Sequence, residues 1–437
     1  MKRIFVYLIV CLLASGCESS STPDDQLIKT PDTKSSGMKL ELNKFLLSLV
    51  NGQYTKATWT GRNVLLKVEQ PDHDFAFEGA AGIANFGSEV PMTTDHQFMI
   101  SSITKNFVST LILQMWEEGV FGDTGLDTTL GELAVFDKPS LDVINIYQNK
   151  SYGAEITLRH LLTHSAGLGT GWREIIPGSV DNLDGVFARY WECKQDPDCD
   201  PEVFYPNKTW ARWDPSHPFV ASAGLFNNYL VHQRETSDSI AKPGEMYAYR
   251  DLNFWILAII AQTKEDQPLY KILRKRIFDP LNMDKTYMLY TQDSSEENHR
   301  VALSDFYDGD VPVVSSGFNF SMDWAGGGLV TTLDELSRYH RALVNGDLFQ
   351  HASTYLEMSK WHGEPQGEYP YKQHIGLGYF TTELFGVSVI GHTGFMGAFM
   401  YHHPESNTFI TGTLNNVPGD AYEPIMADLL EILSLKN

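Results

Sequence analysis

The stretch Phe98–Gly119, FMISSITKNFVSTLILQMWEEG, decides how this chain is read. Ile103, Phe107, Val108, Leu111, Ile112, Met115 and Trp116 recur at helical spacing and predict one long helix with a wide apolar face. Ser101 is the candidate N-cap and Gly119 the stop. Ser102 and Lys105 fall in the first turn, one turn apart, and so share a face. A hydroxyl there lies where free backbone N–H groups and the positive helix end favour a developing oxyanion. A lysine one turn on takes up the serine's proton if burial keeps it partly neutral. The alternative is a serine cap on an ordinary core helix. Two other S-x-x-K matches, Ser36 to Lys39 and Ser239 to Lys242, open no apolar helix, so context singles out Ser102.

Around that helix, 437 residues with 42% hydrophobic side chains suit one large domain or two closely packed ones with a substantial core. A net charge of −22 argues against nucleic acid and against a polybasic membrane contact. Residues 1–17, MKRIFVYLIVCLLASGC, put Lys2 and Arg3 before an apolar run that ends in small residues. That is the pattern of a secretory signal, too short to read as a spanning helix. Its ending resembles a bacterial lipobox, which makes Cys17 the candidate lipidation site. Residues 18–38 are rich in Ser, Thr, Pro and Asp and read as a flexible tether. The expectation is export to a bacterial cell envelope, periplasmic or outer surface, with membrane contact only through the N-terminal lipid anchor.

Folded sequence is expected from about residue 39. A first helix leads into strand-like runs at Asn63–Val68 and Phe75–Ala84. Near the other end, IGLGYFTTEL, FGVSVIGHTGF, MGAFMYHHPE and NTFITGTLNN read as four strands joined by short turns, followed by a covering helix. Between these ends the pattern is mostly helical. His160 and His164 are spaced as in some zinc helices, but H-E-x-x-H is not met and no metal or cofactor is predicted. Residues 169–241 are either a lid or binding loop, or an excursion with its own small core. Within them Cys193 and Cys199 bracket CKQDPDC, a local disulfide in an oxidising compartment or else two free thiols.

Two further pieces carry chemistry. Tyr249 leaves a Pro-Gly turn just before an apolar helix, with Asp251 two residues on. A tyrosine in a cationic pocket can lower its pKa and exchange protons with a serine. His392-Thr393-Gly394 ends a late strand, where Gly394 lets a substrate backbone approach and the two side chains can bind a carboxylate or shuttle a proton.

S-x-x-K, then Y-x-D, then H-T-G, in this order, resembles the serine beta-lactamase and penicillin-binding family, in particular its class C beta-lactamase-like branch of DD-peptidases, D-aminopeptidases and esterases. The resemblance spans roughly residues 42–434 and includes LLTHSAGL, PGEMYAY, FDPLNMDKT, GGGL and GLGY. It implies an α+β fold in which an antiparallel sheet (about 42–90 and 320–437) carries an inserted, mainly helical lobe (about 100–310). It further implies that Ser102 is acylated, Lys105 is its proton partner and Tyr249 the general base and acid. His392, Thr393 and Gly394 would line the acyl site, and the N–H groups of Ser102 and Phe395 would form the oxyanion hole. Two departures stand out: Asp251 where the family has Asn, and His392 where class C lactamases have Lys. A carboxylate cannot donate unless protonated, and a neutral imidazole holds a carboxylate weakly. The expected substrate is therefore a small molecule or peptide with an ester or amide bond, cleaved by an esterase or D-amino-acid peptidase. A beta-lactam or DD-carboxypeptidase substrate is the alternative within the class, and a non-catalytic binding protein the alternative outside it. No G-x-S-x-G elbow is present, which disfavours an alpha/beta-hydrolase.

Overall fold

Strands from the two ends of the chain meet in one sheet. The computed structural model describes residues 33–57, 61–169, 186–200, 223–289, 303–364, 367 and 371–435. The signal segment with Cys17, most of the proposed tether, and large parts of 169–241 lie outside the described residues. The main sheet has seven strands in the order Tyr371–Ile375, Phe380–Leu384, Val387–Thr393, Ala398–His403, Thr408–Thr413, Asn63–Gln70 and Phe75–Gly82. Every neighbouring pair runs antiparallel. This is the α+β arrangement expected from the motifs, one antiparallel sheet built from both chain ends and flanked by helices.

Period-two alternation sends successive side chains into two different cores. Leu65 and Met400 join the larger cluster, built around helix Thr104–Glu117, whereas Val64, Leu66, Phe399 and Tyr401 join the smaller one. The smaller core lies beneath helices Thr33–Val50 and Tyr422–Ile432, which come from opposite chain ends. Helix Leu333–Asn345 covers the other face, capped by Thr332, whose Oγ1 accepts from the Glu335 N–H. The edge strand Tyr371–Ile375 had no counterpart in the sequence reading, because YKQHI has neither alternation nor an apolar run.

Three local expectations are corrected. The first helix begins at Thr33 rather than Lys39, so it takes in the end of the proposed tether. Its buried residues start only at Leu42, which is why composition read the preceding turns as unpacked. The helix expected from Phe98–Gly119 runs Thr104–Glu117 and is entered through a 3-10 turn, Ser101–Ile103; Ser101 makes no capping bond. Nor is that helix amphipathic in the ordinary sense. Lys105, Asn106, Ser109 and Thr110 are as buried as its apolar face. Its polar side is bonded inward: Tyr339 donates to Asn106 Oδ1 (2.7 Å) and Asn106 Nδ2 to the Gly378 carbonyl (3.1 Å). A helix sheathed on all sides is a rigid base for a site.

Candidate active site

The turn carrying Ser102 is clamped by the segment that follows the triple glycine. Strand Phe98–Met99 pairs with Leu329–Thr331. The Ile100 N–H donates to the Leu329 carbonyl (3.0 Å), and the Leu329 N–H donates to Thr104 Oγ1 (3.1 Å). Ser101 is held at φ 47, a left-handed conformation that costs a non-glycine residue energy, and its hydroxyl is buried without a hydrogen bond. Ser102 itself is half-buried, and its Oγ accepts a hydrogen bond from Lys105 Nζ.

Lys105 has 0% exposure, and its three N–H donors are all used. Nζ donates to Ser102 Oγ at 3.0 Å and to the Gly326 carbonyl at 2.6 Å, and pairs with Asp251 Oδ1 at 2.5 Å. Burial works against the ammonium, but the charges of Asp251, Tyr249 and Asp323 outweigh it and hold the Lys105 pKa above its ordinary value. The expected partly neutral lysine is therefore corrected: Asp251, absent from the family pattern as a carboxylate, keeps Lys105 charged.

Tyr249 lies over the same ammonium, its ring centroid 4.9 Å from Lys105 Nζ. Burial raises the phenol's pKa; the Lys105 charge and the nearby Ser102 and Lys105 donors pull it back, and Asp251 pushes it up again. The net shift is upward, against the lowered pKa expected from a cationic pocket. The Tyr249 hydroxyl is buried and completes no well-aligned hydrogen bond. Ser102, Lys105, Tyr249 and Asp251 are thus brought to one place.

His164, considered in the sequence only for its spacing from His160, braces this arrangement. Its ring lies 4.3 Å from that of Tyr249 at a 30° tilt. Nδ1 accepts from the Arg250 N–H (3.2 Å) and from Asn253 Nδ2 (3.1 Å), while its carbonyl accepts from the Ala248 N–H (2.8 Å). His160 faces elsewhere, its Nδ1 accepting from the Thr157 N–H at 3.2 Å.

The H-T-G strand end packs onto the Ser102 turn. A Cβ on Gly394 would fall 2.5 Å from the Ile100 carbonyl and 3.0 Å from Ser101 Cβ, so only glycine admits this approach. Phe395, next along, is exposed. His392 donates from Nδ1 to the Thr393 carbonyl (2.7 Å), which leaves Nε2 as the unprotonated nitrogen, buried and without a partner. Burial and the Lys105 charge push the imidazole pKa down to about 3, so it is neutral at working pH.

Asp323 is the residue the sequence reading missed. It directly precedes the Trp324–Gly327 turn, whose Gly326 carbonyl binds Lys105. The residue is half-buried overall, but its carboxyl is tucked against Gly326 and Gly327, away from water. Burial first, then the Asp251 charge, raise its pKa to about 7, with Lys105 opposing. The available signal was the glycine run itself, which marks a place where something must come close.

Away from this cleft, Cys193 and Cys199 are joined in a disulfide, with Cα atoms 5.2 Å apart.

The Beta-lactamase family model matches residues 71–433. Protein Rv1367c of Mycobacterium tuberculosis is 25% identical over 273 residues, covering 60% of this chain and 57% of that protein. The chain thus spans little more than half the length of the curated relatives it matches. Among solved structures, D-amino acid amidase from Ochrobactrum anthropi SV3 superposes with a TM-score of 0.63 at 18% identity, covering 90% of this chain and 98% of that one. The octameric penicillin-binding protein homologue from Pyrococcus abyssi gives 0.59 at 20% identity, over 86% and 74%. EstCE1, a hydrolase with promiscuous acyltransferase activity, gives 0.61 at 17% identity, over 90% and 97%. At such identities the likeness concerns the fold.

Proposed function

The chain belongs to the Beta-lactamase family, and on that premise we propose that it is a serine hydrolase working through an acyl-enzyme on Ser102, an esterase or D-amino-acid amidase or peptidase. The observation that carries the reading is the 3.0 Å bond from Lys105 Nζ to Ser102 Oγ with Tyr249 over the same ammonium. Tyr249, a phenol at rest, acts once it has lost its proton to solvent, in the phenolate form that Lys105 stabilises, and takes the Ser102 proton as Oγ attacks the carbonyl carbon. The phenol so formed protonates the leaving group. The phenolate then takes a proton from water, whose oxygen attacks the acyl carbon; the phenol returns that proton to Ser102 Oγ as the acid leaves. The N–H groups of Ser102 and Phe395 receive the oxyanion.

Substrate preference follows from charge. Among the described residues, Lys105 is committed to Asp251 and His392 is neutral, so neither of these two offers a free cation to a substrate carboxylate. A charge-assisted hydrogen bond is worth roughly tenfold to a hundredfold in binding. A p-nitrophenyl ester or a D-amino acid amide should therefore exceed nitrocefin and a D-Ala-D-Ala peptide in kcat/KM by about that factor. Steady-state assays of the four side by side test it, and preference for the two carboxylate substrates would favour a beta-lactamase or DD-carboxypeptidase instead.

The same reading includes export and lipid anchoring at Cys17, supported by the signal-like run that precedes it. Mass spectrometry of the protein recovered from membranes should find an acylated Cys17 as the first residue. A mature chain that begins elsewhere, or carries no acyl group, would overturn it.

A further inference from the structure

Five residues, Trp324, Ala325 and three glycines, separate Asp323 from the strand that clamps the nucleophile, and at two of the glycines any side chain would meet an acid. A Cβ on Gly327 would run into the Asp323 carboxylate. A Cβ on Gly326 would sit 3.1 Å from Asp251 Oδ1 and 3.2 Å from Asp323 Oδ1, so both carboxyls flank one point on the backbone. The carbonyl of that same Gly326 takes a proton of Lys105. The residue between, Trp324, is held at φ 36, a strained conformation for a bulky side chain and a mark of a backbone shaped by something other than its own preference. Two acids thus bear on one ammonium across a turn that glycine keeps thin.

We infer that Asp323 is a positioning residue for acylation: its carboxyl, through Asp251 and Lys105, sets how readily Tyr249 gives up its proton. The inference rests on the acyl-enzyme reading above. Asp251 faces Asp323 from the helix Asp251–Glu265, and Lys105 faces it from the nucleophile helix. Tyr249, His164 and His392 stand beyond them, the two imidazoles held neutral by burial. While Asp323 is protonated, the Lys105 and Asp251 charges cancel. Once it ionises, near pH 7, a second negative charge bears on the pocket and the phenolate becomes harder to form. Asp323 touches neither Ser102 nor the bond being broken.

The test is the second-order rate constant for labelling by a fluorophosphonate probe between pH 5 and 9, for the unaltered protein and for Asp323→Asn. Labelling joins Ser102 Oγ to phosphorus, expels fluoride and delivers the serine's proton to Tyr249. Asparagine copies the protonated acid, so the ratio of mutant to parent rate should be near one at pH 5. It should climb about tenfold by pH 9, the worth of one pKa unit at Tyr249. A constant ratio at every pH would reduce Asp323 to a structural role and overturn the inference. If Asp323→Asn does not fold, Asp251→Asn decides. Removing the neighbouring charge should move the neutral-pH inflection in the labelling profile to lower pH, and an unmoved inflection overturns the inference. No labelling of Ser102 at any pH would instead sink the acyl-enzyme reading, so the two failures are distinct.

Discussion

Replacing Ser102 by alanine is expected to abolish fluorophosphonate labelling and to cut ester turnover roughly ten-thousandfold or more, the scale seen when a nucleophile acting as part of a unit is removed. The fold should not suffer. Ser102 is half-buried, and its hydroxyl supplies one of three acceptors to Lys105, the other two being the Gly326 carbonyl and Asp251. Losing one such bond costs about 1 kcal/mol. The variant should therefore melt close to the parent, and its inactivity reports chemistry. Ser101→Ala is the necessary companion. That neighbour has a buried, unbonded hydroxyl, its Cβ packs against Gly394, and the serine oxygen bonded to Lys105 is that of Ser102. Labelling should survive in it. Labelling that persists in Ser102→Ala, at Ser101 or elsewhere, would break the assignment of the nucleophile. A parent protein that never labels while it binds candidate substrates would point to a binding protein built on an enzyme's fold.

What could be read without coordinates was what depends on residue type and order. The helix Thr104–Glu117 and most of the sheet strands follow from the spacing and type of their apolar residues, which strands buried on both faces keep as near-continuous runs. Ser102, Lys105, Tyr249 and the His392–Gly394 strand end are legible because each is an unusual type at an unusual place. The protonation of Lys105 is not legible, since its counter-charges come from Asp251 and Asp323, far away in the chain. His164 was hidden for the same reason: its work is done by backbone and ring contacts to 248–253. Ser101 misled because a serine before an apolar helix ordinarily caps it, while here the left-handed turn aims its neighbour instead. In each case local preference gave way where distant segments converge.

Lys105→Met should be both inactive and markedly less stable, and the instability should depend on pH. Methionine fills much of the lysine's volume, so the cavity cost is small. What disappears is the cation that Asp251 and Asp323 share. Breaking a buried ion pair from one side leaves an uncompensated charge; with the Asp251 side chain still 17% exposed, water offsets part of this, and about 2–4 kcal/mol is expected at pH 8. The sign follows from linkage. Asp323 already has a raised pKa with Lys105 opposing the rise, and without the lysine that carboxyl is raised further above its unfolded value. A folded state that holds protons more tightly than the unfolded one is stabilised at low pH and loses that advantage as pH climbs through the folded pKa. The deficit should thus be small near pH 4 and grow through pH 7 and beyond. Urea denaturation of parent and variant at pH 4.5, 6 and 8 measures it. Turnover should fall on the order of a thousandfold, since Tyr249 loses the ammonium that makes its phenolate accessible. A variant equally destabilised at all three pH values would show that the loss is one of packing, and that Asp251 and Asp323 do not depend on Lys105 for their charge.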